Sequence, residues 1–235
     1  MNDRSNLYDR SIQFKYDQQA MANPQRELST QERILNASES LFAEFGFDAV
    51  SLRKITQTAG VELALANYHF GPKTELFLAV VRRRADELNQ ARRVAIEQLP
   101  AAANVEDVID AFTRPYTQKS TRGGPGWKSY GRLIAQIANS PRWTEAVMAS
   151  QFDPVAALFI ERIEATLPGS DARDIYWGFH FLLGAMVTTF AETGRIDRLS
   201  QGICRSSDLD TIQQKMVPFL AGGFRALCLP GNSKA

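Results

Sequence analysis

From Ser29 onward the apolar positions fall at helical spacing. Ile34, Ala37, Leu41 and Phe45 recur every three or four residues behind Ser29 and Glu32, which match a capping box. Gly46 predicts the end of this helix, because glycine adopts the left-handed cap conformation at little cost. Ser51 stands where a cap would open a second helix over 52–58, with Ile55 and Ala59 inward. Gly60 predicts a tight turn. A short third helix is expected from Glu62 to His69, broken at Gly71-Pro72. A long fourth helix should start near Lys73, with Leu76, Phe77, Val80 and Val81 as its apolar face.

The helical period continues downstream. Asn104 opens a helix to about Lys119, Thr121 to Gly126 reads as a Gly/Pro loop, and helices are expected over 127–138, 141–166, 171–193 and 208–229. Strand-like alternation and internal repeats are absent from the pattern. The expected fold is all-α with about nine helices. Its expected parts are a flexible N-terminal arm (1–28), a three-helix domain (29–75) and a larger helical domain (76–230). The arm carries Arg4, Arg10, Lys15 and Arg26. It reads as an untethered terminus, or as an arm reaching into a minor groove.

Composition changes this picture little. Of 235 residues, 44% are hydrophobic and 23% charged, which is enough to build a sizeable core. The longest apolar stretch, Phe179 to Ala191, is too short for a bilayer and contains His180, Thr188 and Thr189. No secretory signal opens the chain, and a cytoplasmic protein without membrane attachment is expected. Cys204 and Cys228 stand far apart and read as reduced thiols. The two histidines, His69 and His180, belong to no catalytic or metal-binding pattern, and no phosphate loop or nucleophile elbow occurs. Neither an enzyme, nor a metal, nor a cofactor is expected.

Three short helices with Gly60 in the second turn have the layout of a helix-turn-helix unit, in which one helix lies across the DNA backbone and the next enters the major groove. The residues Ile34, Ala37, Leu41, Phe42, Gly46, Phe47, Ser51, Ile55, Ala59, Gly60, Val61, Tyr68, His69, Phe70, Lys73 and Leu76 make this segment resemble the TetR family of bacterial regulators. The Asn67-Tyr68-His69-Phe70 sequence, with Tyr176 to Ala185 and Met216 to Phe219, is similar to the branch containing fatty-acid-responsive regulators. The resemblance implies that Ser51 and Arg53 meet phosphates. It also implies that Leu63, Ala64, Leu65, Asn67 and Tyr68 face the groove, with Tyr68 and His69 touching backbone or base edges. Lys73 should bind a phosphate at the start of the fourth helix. Two departures stand out. Glu62 replaces the usual Ser or Thr and is expected to point aside, and Leu65 replaces a polar residue. Charge gives no support. Between Thr30 and Gln90 seven Lys/Arg face eight Asp/Glu, so the placement of Arg53, Lys54 and Lys73 must supply the attraction.

Several side chains admit two readings. Tyr68 reads as groove-facing or core, and Phe70 as core. Arg82-Arg83-Arg84 reads as a solvated helix face or as steering charge. His180, among Trp177, Phe179 and Phe181, reads as a core histidine or as pocket lining. A ligand pocket in the second domain is expected to draw on Phe112, Trp127, Tyr130, Arg132, Phe152, Trp177, His180 and Phe181. Arg132, in an apolar segment, is a candidate partner for an anionic head or a structural ion pair. The resemblance implies a fatty acid or acyl thioester as effector, whereas the residues alone imply only an apolar or amphipathic ligand. It also implies a homodimer built on the last two helices, where Gly178, Gly184, Ala185, Gly222 and Gly223 permit close contact. Such a dimer would bind a pseudo-palindromic site on double-stranded DNA. The expected function is a ligand-relieved transcriptional repressor. The alternatives are a drug-responsive repressor of efflux genes and a helical ligand-binding protein without DNA binding.

Overall fold

A computed structural model describes residues 28–228. The arm expected over 1–28 therefore lies, but for Leu28, outside the described residues. Ser29 caps the first helix, α1 (Thr30–Ala49). Its hydroxyl accepts from the Glu32 amide at 3.2 Å, and the Glu32 carboxylate accepts from the Ser29 amide at 2.8 Å. Gly46 does take a left-handed φ of 77°, but the chain resumes a helical turn to Ala49 instead of stopping. The next helices are α2 (Leu52–Ala59), α3 (Leu63–Phe70) and α4 (Lys73–Glu97).

The second half comprises α5 (Val105–Arg122), α6 (Pro125–Ala138), α7 (Asp153–Thr166), α8 (Ala172–Phe190) and α9 (Leu209–Leu227). Shorter turns lie at Pro141–Trp143, Thr144–Ala149 and Arg195–Leu199. The described residues thus form an all-α fold of twelve helical segments, nine of them at least seven residues long. The single helix expected over 141–166 is broken. A three-residue turn runs into a π-helical turn, and α7 begins only after Phe152. Pro154 lies in the first turn of α7, where its missing N–H costs nothing, and it prevents the preceding turn from running through. Helix α8 ends at Phe190, three residues short of expectation, followed by positive φ at Glu192 and Gly194.

Two hydrophobic cores share the fold. The N-terminal core gathers Ile34, Leu41, Phe42, Ile55, Ala66, Leu76, Phe77 and Val80 from α1 to α4. It is closed by residues from much later in the chain: Leu133 and Ile137 of α6, Trp143 and Val147. Burying Leu133 and Ile137 contributes about 1.5–3 kcal/mol each, so the three-helix unit leans on α6 for its stability. The C-terminal core unites Leu88 and Ile96 of α4 with Val108, Ile109, Phe112, Tyr116, Phe159, Ile163, Leu182, Leu220 and Phe224. Helix α4 thus runs through both cores.

Candidate nucleic-acid interface and ligand cavity

Ser51 caps α2 by accepting from the Lys54 amide at 3.1 Å. Gly60 ends that helix in the left-handed region, at φ 64° and ψ 41°. Arg33 closes over the turn, donating to the Gly60 carbonyl at 2.7 Å, and an added Cβ at Gly60 would meet that guanidinium at 2.8 Å. The left-handed φ favours glycine here, and a Cβ would in addition displace the end of the Arg33 side chain from the turn. Helix α3 buries Ala66 and exposes Leu63, Ala64, Leu65, Asn67 and Tyr68. Tyr68 is 83% exposed, which removes the core reading of that side chain. Its ring meets His69 edge-on at 5.1 Å, and His69 Nδ1 lies 3.3 Å from Gln31 Nε2. Phe70 packs against the N-terminal core, as its core reading requires. Glu62 is exposed at the start of α3 and makes no capping bond.

The cations near this face differ in what holds them. Arg53 and Lys54 are exposed, and their side chains have no described partner. Lys73 is half-buried. Its ammonium donates to the Phe47 and Val50 carbonyls, each at 2.9 Å, and sits 4.1 Å over the Phe47 ring. It therefore staples the start of α4 to the α1–α2 turn, a role the sequence did not indicate, and one of its three N–H groups remains for a phosphate. Arg83 and Arg84 are not a solvated face. Both hydrogen-bond the buried Glu39 carboxylate, Arg83 from Nη2 at 2.9 Å, and Arg84 from Nε and Nη2 at 2.9 and 3.0 Å. Burial lowers the pKa of Arg83 below the usual arginine value, and the Glu39 charge opposes that shift. Of the three arginines only Arg82 is exposed.

A cavity of about 400 Å³ lies between α4, α5, α6, α7 and α8. Four of the expected residues line it: Phe112, Tyr130, Phe152 and His180. His180 is exposed and packs edge-on against Trp177 at 5.6 Å, so the core reading of this histidine is replaced by a place at the cavity rim. The other four expected residues lie elsewhere. Trp127 is buried against Tyr130, with the Arg84 guanidinium 5.0 Å and the Lys119 ammonium 5.2 Å from its ring. Arg132 is exposed on the outer side of α6, in a separate groove with Gln136 and Glu192. Trp177 and Phe181 point outward, stacked on each other at 6.1 Å. A helix turns only one face inward, and their one-face spacing on α8 is the opposite face from Leu182 and Met186.

The sequence reading missed Arg92, Tyr116, Met148 and Phe179, which also line the cavity. Arg92 follows Arg82-Arg83-Arg84 on α4 and reads by eye as another surface charge. Its periodicity was available: Leu88, Arg92 and Ile96 share one face of α4, and Leu88 and Ile96 are core residues.

Helix α8 packs on α9, and their outer face is apolar and open. Tyr176, Trp177, Phe181 and Phe219 are all more than half exposed, and an added Cβ at Gly184, Gly222 or Gly223 meets nothing. Gly178 behaves otherwise. Its Cβ would lie 2.4 Å from the Phe224 ring, so this glycine admits α9 within the chain and is not part of the outer face. Ala185 likewise packs inward against the C-terminal core. Among the described residues no helix is long and apolar enough to cross a membrane, and no three His, Cys, Asp or Glu are grouped to hold a metal ion.

Two family models match this chain. One, described as bacterial regulatory proteins of the tetR family, covers residues 34–80, and the other, a tetracyclin repressor-like C-terminal domain, covers residues 110–223. Over 81 residues, 34% of this chain, it is 32% identical to the HTH-type transcriptional regulator BetI of Rhizobium meliloti, and it spans 38% of that relative's length. The fold matches the fatty acid degradation regulator FadR from Bacillus halodurans with a TM-score of 0.62 at 14% identity, over 86% of this chain and 99% of that one. It also matches FadR from Bacillus subtilis, solved in complex with stearoyl-CoA, with a TM-score of 0.56 at 12% identity, over 81% of this chain and 97% of that one. Together the two models cover the helix-turn-helix unit and most of the C-terminal helices, and the chain belongs to the TetR family of bacterial transcriptional regulators, which are not enzymes.

Proposed function

We propose that this protein is a cytoplasmic, homodimeric repressor that binds a pseudo-palindromic operator through α2 and α3 and is released by an amphipathic acyl ligand held in the cavity. The observation that carries this reading is the double duty of α6. Tyr130, Ile134 and Ala138 line the cavity, while Leu133 and Ile137 complete the DNA-reading core. Gln136 Nε2 donates to the Ala43 carbonyl of α1 at 2.9 Å. A ligand that displaces α6 must therefore shift α1 and the reader packed on it. Helix α4 adds a second link, since it carries Leu88 and Arg92 at the cavity and Lys73 beside α3.

Arg53, Lys54, Ser51 and the free N–H of Lys73 are the groups we assign to phosphates, and Leu63, Ala64, Leu65, Asn67, Tyr68 and His69 to the groove. The apolar outer face of α8 and α9 is the surface we assign to the dimer, because it would otherwise stand in water. The mostly apolar lining of the cavity and the stearoyl-CoA bound by a regulator of the same fold support an acyl ligand.

The test is a titration of fatty acids, acyl thioesters and cationic drugs into the protein–operator complex, followed by fluorescence anisotropy. Release by acyl compounds, with a 5- to 150-fold loss of operator affinity for a coupling of about 1–3 kcal/mol, is the expected result. Release by cationic drugs alone would favour the efflux reading. Absence of operator binding by the free protein would remove the DNA-reading role. In sedimentation, Gly223→Arg should shift the dimer to monomer and abolish tight binding to a full operator.

A further inference from the structure

Arg92 is 5% exposed, yet it forms no ion pair among the described residues. Its guanidinium carries five N–H donors. One, on Nε, meets the Phe112 carbonyl at 2.9 Å, and the group lies 4.2 Å over the Phe112 ring. Among the described residues this side chain forms no other hydrogen bond. The titratable groups that act on it are Tyr130 and Tyr116, both neutral phenols lining the same cavity, and no carboxylate is among them. Burial lowers its pKa to about 10, which still leaves it cationic at neutral pH.

The Tyr130 hydroxyl, in the same cavity, is buried with no hydrogen-bond partner among the described residues. Desolvation raises the pKa of this phenol far above its ordinary value and that of Tyr116 to about 12, so both remain protonated donors. The rest of the inner lining is apolar, with Phe152, Phe179, Met148 and Leu183, while Asn139, Asp153, His180 and Thr188 stand exposed at the cavity rim. A buried cation without a counter-charge is costly unless something pairs with it. The cavity therefore has an electropositive, donor-rich end, an apolar body and an exposed polar rim.

We infer that this end is a carboxylate site, in which Arg92 and the Tyr130 hydroxyl bind the ionised head of a fatty-acid-like effector whose chain fills the apolar part. This rests on the acyl reading above and sharpens it. The effector is the free acid, not its thioester or neutral ester, because only the free acid carries its negative charge on the acyl head itself, whereas a CoA thioester carries it on phosphates a pantetheine arm away. A cationic drug would meet the wrong sign at Arg92, and the Asp153 carboxylate could attract it only at the exposed rim.

The test uses the full-length protein with dodecanoate, methyl dodecanoate and dodecanoyl-CoA, measured by calorimetry and by operator release. The wild-type protein should bind dodecanoate at least tenfold more tightly than the methyl ester, as expected for a buried charge-assisted hydrogen bond. Arg92→Met should erase that preference by weakening dodecanoate more than tenfold while leaving the ester within about twofold. Tyr130→Phe should weaken dodecanoate by a smaller factor. Equal binding of acid and ester by the wild type would overturn the carboxylate site, whatever the variants do. A preference that survives Arg92→Met would also overturn it, as would binding of the CoA thioester alone, and in these three cases the acyl reading would stand. No binding and no release by any of the three would overturn the acyl reading as well.

Discussion

Arg83 and Arg84 lie about 12 Å along α4 from Arg92, at 1.5 Å per residue. The two regions treat their buried charge in opposite ways. In the DNA-reading half, Arg83 and Arg84 close on Glu39, whose side chain is 3% exposed, and Lys73 closes on two carbonyls. In the sensing half, Arg92 has one carbonyl and an aromatic face, beside a cavity. The same helix therefore carries a completed electrostatic site at one end and an incomplete one at the other. A completed site holds a geometry against DNA. An incomplete one leaves binding free energy available to a ligand, and under the proposed function that energy acts on the reader through α4 and α6.

The contrast can be broken most directly at Glu39. Glu39→Ala should cost about 3 kcal/mol in urea denaturation, the low end for a broken buried pair, because Arg83 and Arg84 keep some contact with water. A loss under 1 kcal/mol would show that the reader does not depend on this pair. Tyr68→Ala comes next. Operator affinity should fall by about 1–3 kcal/mol in a mobility-shift titration, with stability unchanged within about 0.5 kcal/mol, since the side chain is exposed.

Two smaller effects sharpen the comparison. Arg92→Met should change unfolding free energy by no more than about 1 kcal/mol, because one neutral-acceptor hydrogen bond is lost while a lone buried charge is removed. A loss as large as that of Glu39→Ala would make Arg92 a structural residue of the same kind. The smallest effect is on salt dependence. Arg53→Ala should lower the slope of log affinity against log salt by about 1 per subunit and leave the melting temperature alone. Lys73→Met should lower both, since that ammonium also staples α4 to the α1–α2 turn.

The local features of the reader were legible in the sequence because they are local. Ser29 with Glu32, Ser51, Gly60 and Gly71-Pro72 mark caps and turns through neighbours a few residues away, and the apolar period marks the faces between them. The break at Phe152 was missed because Pro154 was outweighed by an apolar period on both sides. The pocket was half legible. Phe112, Tyr130 and Phe152 follow from aromatic content, but Trp177 and Phe181 have the same content and the opposite orientation. Composition cannot tell a cavity wall from an outer face when both are aromatic.

Arg132 and Arg92 show the same limit in charge. Arg132 sits among apolar neighbours in sequence and Arg92 beside Gln90 and Arg93, yet the packing of α5 and α6 against α4 leaves Arg132 exposed and Arg92 buried. By itself the sequence determined the helices, their caps and the order of the reader, because helical hydrogen bonds and caps reach no further than four residues. Tertiary structure alone decided that α6 closes the core of a domain more than fifty residues upstream of it, and which arginine is left without a counter-charge, because burial and pairing depend on what lies across the helix and not along it.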